Sequence, residues 1–132
     1  MEELNQEILM KAQMLHQQSQ EVEQQLDFIN KQVLELEDFS GNLSHLIISK
    51  NKESLSSLGK GVYLKTEIKD KRLFVEVGAG VVVRKTPEET RKVIEGQISR
   101  FQDLKSNLNN QLNLYKGDLM TMIQSLESQR EK

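Results

Sequence analysis

The sequence predicts an α+β fold: a long antiparallel coiled-coil helical hairpin joined by two β-hairpins that form an oligomerisation platform. Three observations predict it. Apolar residues recur at alternating spacings of four and three toward both ends of the chain. The period falls to two in the middle. Thr86-Pro87-Glu88-Glu89 then announces a second helix. A repeat averaging about 3.5 residues is the seam of a coiled coil, and a repeat of about two is a half-buried strand.

The first arm begins its seam at Ile8. With Ile8, Leu15, Val22, Ile29, Leu36 and Leu43 as d positions, every d site is apolar. The a sites are Ala12, Ser19, Leu26, Val33, Ser40 and Ile47. Gln and Glu, good helix formers that keep the outer faces wet, fill the space between, and neither Pro nor Gly occurs before Gly41. One helix from about residue 3 to about residue 49 follows, roughly 70 Å long at ~1.5 Å per residue.

In the middle, Val62, Leu64, Thr66 and Ile68 share one mainly apolar face, with Tyr63, Lys65, Glu67 and Lys69 on the other. Leu73, Val75 and Val77 alternate with Phe74 and Glu76, and Val81, Val82 and Val83 supply a further short run. Gly59-Lys60-Gly61 and Gly78-Ala79-Gly80 are turn sequences in matching surroundings, Leu58 to Lys65 paralleling Val77 to Arg84. The repeat predicts two successive hairpins turned by Gly59, Gly61, Gly78 and Gly80, with a first strand at about Ser54 to Leu58.

The second helix starts with Thr86 as N-cap, Pro87 at the first helical position and Glu89 closing a capping box. Its seam runs Ile94, Ile98, Phe101, Lys105, Leu108, Leu112, Tyr115, Leu119, Met122 and Leu126, broken only by Lys105. The chain thus divides into a helix over 1–49, hairpins over 50–85 and a helix over 86–132, all within one subunit.

Helices that flank a compact β segment fold back on each other, so the two seams meet. They also lead away from the strands, and an isolated four-stranded meander with an open apolar face is marginal in water. Assembly through Val62, Leu64, Ile68, Leu73, Val75, Val77, Val81 and Val83 is the physical expectation, because burying these side chains is worth on the order of 10 to 20 kcal/mol before ordering costs.

This architecture and the stretch Val77-Gly78-Ala79-Gly80-Val81-Val82-Val83-Arg84-Lys85 resemble the prefoldin family, over essentially the whole chain. Two hairpins, against the single hairpin of beta-type subunits, favour the alpha type. The resemblance implies a hexamer of two alpha and four beta-type subunits on a double β-barrel platform. It further implies ATP-independent binding of unfolded client proteins at the arm tips and their delivery to a group II chaperonin.

In such a hairpin both termini lie at the open end. All five methionines, Met1, Met10, Met14, Met120 and Met122, fall near the termini, and Met suits surfaces that accept many shapes. Leu4 (g), Leu9 (e), Met10 (f), Met14 (c), Met120 (b) and Ile123 (e) lie off the seam and are the candidate client-binding residues. Phe28, Leu34 and Phe39, off the seam in mid-arm, either extend the client groove inward or widen the contact between the helices, the second being the favoured reading.

Other function classes find little support. There is no cysteine, which removes thiol chemistry, disulfides and Cys-ligated metals. His16 and His45 stand roughly 40 Å apart along one straight helix, too far to share a metal. Neither glycine-rich turn matches a phosphate-binding motif: Ser54 stands where the first Gly is required before Gly59-Lys60, and Val83 replaces the third Gly after Gly78-Ala79-Gly80. The carboxylates are dispersed, so no cofactor and no catalytic pair is expected.

Charge is partitioned: residues 1–49 carry two basic and nine acidic groups, 50–86 nine and four, 87–132 seven and seven. The basic middle lacks a nucleic-acid signature, and no nucleic-acid partner is expected. With a mean hydropathy of −0.57, no signal-like start and no long apolar window, neither a membrane partner nor secretion is expected, and the expected address is cytoplasmic. The competing reading is a coiled-coil scaffold or filament-forming tether without client binding.

Overall fold

The computed structural model describes residues 2–130. Two long helices, α1 (Glu2–Ile48) and α2 (Pro87–Arg130), flank four strands: β1 (Glu53–Gly59), β2 (Val62–Glu67), β3 (Leu73–Gly78) and β4 (Val81–Lys85). The chain forms two compact units, one of Met1–Leu34 with Ser99–Lys132, the other of Glu35–Ile98.

In the first unit the helices run antiparallel, and their seams form the core. Val22, Leu26 and Ile29 of α1 bury against Leu108 and Leu112 of α2, with Val33, Phe101 and Tyr115 packed at the margin. Every described seam residue named above, in both helices, is buried or half-buried. Ser19, a polar a residue, is buried without cost to hydrogen bonding because its hydroxyl donates to the Leu15 carbonyl at 2.8 Å. Lys105 is half-buried, consistent with an amphipathic stem lying along the seam.

In the second unit the strands form two separate two-stranded antiparallel sheets, β1 with β2 and β3 with β4, the two successive hairpins expected from the repeat. The turns carry positive φ at Gly59, Lys60 and Gly61 and again at Gly78, Ala79 and Gly80. Positive φ at both central residues is what the tight I′ hairpin turn demands, and the shift of register at the preceding glycine is a bulge in each hairpin. Gly61 (φ +79) and Gly80 (φ +75) are the equivalent second central residues, where glycine meets this demand without strain.

Helix α2 is capped as its sequence requires: the Glu89 amide donates to Thr86 Oγ1 at 3.1 Å, and Thr90 Oγ1 donates to the Thr86 carbonyl at 3.0 Å. At the other junction Lys71 Nζ lies 2.5 Å from the Ser49 carbonyl oxygen and 3.5 Å from that of Ile47, placing a cation on the C-terminal carbonyls of α1. The segment between the hairpins is thereby tied to the end of the first helix.

Candidate functional site

Two surfaces carry apolar side chains that their own chain leaves uncovered. The first lies in the unit formed by the two helix ends. Heptad geometry turns a and d inward there, so Ile8, Ala12, Leu15, Leu119, Met122 and Leu126 are half-buried. The same geometry turns Leu4, Leu9, Met10, Met14, Met120 and Ile123 outward, and all six are exposed. Met1 lies outside the described residues.

Leu9 and Ile123, both e residues, meet along one groove of about 350 Å³ that also takes in Asn5, Leu126, Glu127 and Gln129. Leu4, Met10, Met14 and Met120 do not line it; they lie on the flanks of the helices. Asn5 falls at an a position, and its Oδ1 is buried with no hydrogen-bond partner. One seam position at this end, Asn5, is thus polar among apolar neighbours.

Farther along this unit Phe28 and Leu104 border a second groove with Phe101 and Leu108. Phe28 and Leu34 are exposed, so they do not widen the helix contact as expected from sequence; at their register positions they point past the partner helix. The third residue of that set, Phe39, is also exposed and belongs to the other unit.

The second surface is made by the strands. Val62, Leu64, Val77 and Val81 are exposed, whereas Ile68, Leu73, Val75 and Val83 are half-buried. The expectation that nothing in the chain covers the strand face needs correction for the second hairpin. Leu73 and Val75 border a groove of about 580 Å³ whose other wall is Phe39, Leu43, Leu46, Val93 and Ile94, from the helix segments of the same unit. Valine, leucine and isoleucine on those segments give β3 a partial cover.

The first hairpin has no such cover, and its apolar face is thinner than expected. Residues opposite each other on paired strands share a face, and Ser56 stands opposite Leu64 and Ser54 opposite Thr66. Leu55 lies on the other face, opposite Lys65. Ile68 falls just past the end of β2, where its amide donates to the Lys52 carbonyl. Exposed Leu55, Leu58 and Phe74 were not singled out from sequence. Leu55 and Leu58 break a simple alternation because the bulge after Ser57 intervenes.

The polar groups of this surface are organised around Asp70. Its Oδ1 accepts from the Arg72 amide at 2.9 Å, and its Oδ2 accepts from Arg72 Nη2 at 2.7 Å and Arg84 Nη2 at 3.0 Å. The Arg72 side chain, then its amide, then the charges of both arginines hold the carboxyl down at about 2, from an ordinary 3.8. Arg84 also stacks over Phe74, 5.2 Å from the ring centroid. These groups are exposed and shape the surface without forming a catalytic pocket.

Among the described residues no three His, Cys, Asp or Glu side chains gather to hold a metal, and no helix is long and apolar enough to cross a membrane. What the geometry offers is adhesive surface: strand faces in one unit and outward methionine and leucine in the other. The Prefoldin subunit family matches residues 15–132, nearly all of the seam, both hairpins and α2. This chain belongs to the prefoldin family.

Curated prefoldin relatives agree on the subunit type. The chain is 26% identical over 81 residues to a prefoldin subunit alpha of Methanosphaera stadtmanae, covering 61% of this chain and 59% of that one. It is 30% identical over 88 residues to a prefoldin subunit alpha of Thermoplasma acidophilum, covering 66% and 65%. The matched stretches thus span less than two thirds of the length of these relatives. Filamentous prefoldin from Methanocaldococcus jannaschii, solved by cryo-EM, shares the fold with a TM-score of 0.69 at 16% identity, over 86% of this chain and 95% of that chain. Two hairpins between two long helices are the arrangement expected of an alpha-type prefoldin subunit, and the family is one of chaperones.

Proposed function

We propose that this prefoldin subunit is part of an ATP-independent holdase that grips non-native polypeptides at the helix ends and delivers them to a group II chaperonin. The observation that carries the reading is the set of outward apolar residues, Leu4, Leu9, Met10, Met14, Met120 and Ile123, all exposed on helices whose seams are otherwise covered. Flexible thioether and branched side chains on a soluble surface suit partners of many shapes.

The strand faces are the assembly surface in this reading. Val62, Leu64, Val77 and Val81 are exposed, and Ile68, Leu73, Val75 and Val83 are half-buried, so a partner's strands gain apolar contact with all eight. The expected partners are beta-type prefoldin subunits, in the proportion two alpha to four beta, in the cytoplasm. No cofactor, nucleic acid or enzymatic step belongs to this reading.

The test is suppression of aggregation of a chemically denatured enzyme by the chain mixed with a beta-type subunit, without ATP, alongside the mass of the mixture. Removal of residues 1–14 and 119–132 should abolish protection and leave the assembled mass otherwise as expected for the shortened chains. Undiminished protection after that truncation refutes the helix ends as the site. Protection by neither form, with normal assembly, favours a scaffold or tether.

A further inference from the structure

We infer that the groove at the helix ends selects, among non-native polypeptides, apolar segments flanked by Lys or Arg. The inference rests on the reading of that region as the client site and adds the chemical class of client.

The groove has an apolar floor and an accepting rim. Leu9, Ile123 and Leu126 supply the floor, and Asn5, Glu127 and Gln129 the polar groups. Asn5 Oδ1 is buried and has no hydrogen-bond partner. A buried acceptor left unpaired is destabilising, and a donor that the side chain turns to meet removes that cost. The Glu127 carboxylate, which lines the same groove, accepts from the same kind of donor and adds charge.

The helix ends are acidic on balance. Residues 1–16 and 117–132 contain six acidic groups, Glu2, Glu3, Glu7, Asp118, Glu127 and Glu131, against the basic Lys11, Arg130 and Lys132. Nearer the middle of the helices Glu23 lies 3.7 Å from Lys116. An apolar floor inside an acidic, acceptor-rich rim complements an apolar side chain followed by a cation, and it repels a segment flanked by carboxylates.

The experiment uses the full chain and three short fluorescent peptides that share one Leu/Phe core and are flanked by Lys, by Ser or by Glu. Binding is read by anisotropy at low and high salt. The Lys-flanked peptide should bind about three- to tenfold more tightly than the Glu-flanked one at low salt, as a few exposed ion pairs give, and the ratio should shrink at high salt. Glu7→Gln combined with Glu127→Gln should shrink it at low salt as well.

Equal affinity for all three peptides, with Leu9→Ser and Ile123→Ser weakening all of them, overturns the charge selection and leaves the client site standing. Binding that ignores Leu9→Ser and Ile123→Ser overturns both. A rise in the mass of the peptide-free chain at low salt that Glu127→Gln reverses gives the groove to the basic strand region of a second copy, and overturns the inference too.

Discussion

Replacing Ile29 by alanine tests whether the paired seams are the chain's source of stability. Ile29 is 3% exposed and packs in the cluster with Val22, Leu26, Leu108 and Leu112. The substitution removes three carbons, about 2.4 kcal/mol of transfer free energy at ~0.8 kcal/mol each. The cavity left between two helices that hold their spacing raises the cost to about 3–4 kcal/mol. Leu34→Ala is the control: the same helix, 61% exposed, with an expected cost below about 1 kcal/mol. The assay is urea unfolding followed by far-UV circular dichroism, run at two protein concentrations so that assembly is separated from folding. Hydrogen exchange adds the location, with protection falling first around residues 22–33 and 101–115. A cost under about 1 kcal/mol for Ile29→Ala, or one for Leu34→Ala that equals it, refutes the seam as the core.

Four further outcomes are expected. The carboxyl of Asp70 is held at about 2 against an ordinary 3.8, so its contribution is complete above pH 3.8 and is lost as pH falls through about 2; the gap in melting temperature between the parent and Asp70→Asn should therefore close in that window. Gly80→Ala meets no neighbouring atom and places a Cβ at φ +75, so thermal melting should show a loss of about 1–2 kcal/mol from backbone strain alone. Thr86→Ala removes the acceptor of the Glu89 amide and should cost about 0.5–2 kcal/mol, with amide exchange rising in the first turn of α2. Val62→Ser with Leu64→Ser should lower the assembled mass while leaving the helical signal intact, whereas Leu73→Ser with Val75→Ser, on the groove shared with helix segments, should also loosen the fold.

The helices were legible because a coiled-coil seam is written into single residues at fixed spacing. Each seam residue from Ile8 to Ile47 and from Ile94 to Leu126 is covered to some degree, including Ser19 and Ser40, which apolar counting alone would reject. Ser19 is small enough for the seam and returns its hydroxyl to its own helix. The turn glycines were equally legible, since positive φ selects residue type directly. Strand faces were less so. Alternation along β2 says which side chains share a side, but the partner residue depends on pairing, and a bulge at Ser57/Gly59 set serines opposite Leu64 and Thr66. The Lys71 contact with the carbonyl of Ser49 joins residues 22 apart through loop geometry, which no local pattern encodes.

The distribution of burial bears on why this chain calls for partners. Among the described residues the buried hydrophobic ones are Val22, Leu26, Ile29, Leu43, Ile94, Leu108 and Leu112, every one of them on a helix. No strand residue is buried; Thr66 of β2, Leu73 and Val75 of β3 and Val83 and Lys85 of β4 are half-buried, and of these Leu73, Val75 and Lys85 border the helix segments. Two-stranded sheets gain little from their own ladder, so their order comes from turn stereochemistry, from Asp70 and Lys71 clamping the link between them, and from whatever covers Val62, Leu64 and Val81. In the proposed assembly, folding of the strands and binding of a partner are linked. A strand face left open would be an aggregation hazard in a monomer, and the same face, once paired, supplies the apolar burial that the helical seams do not extend to.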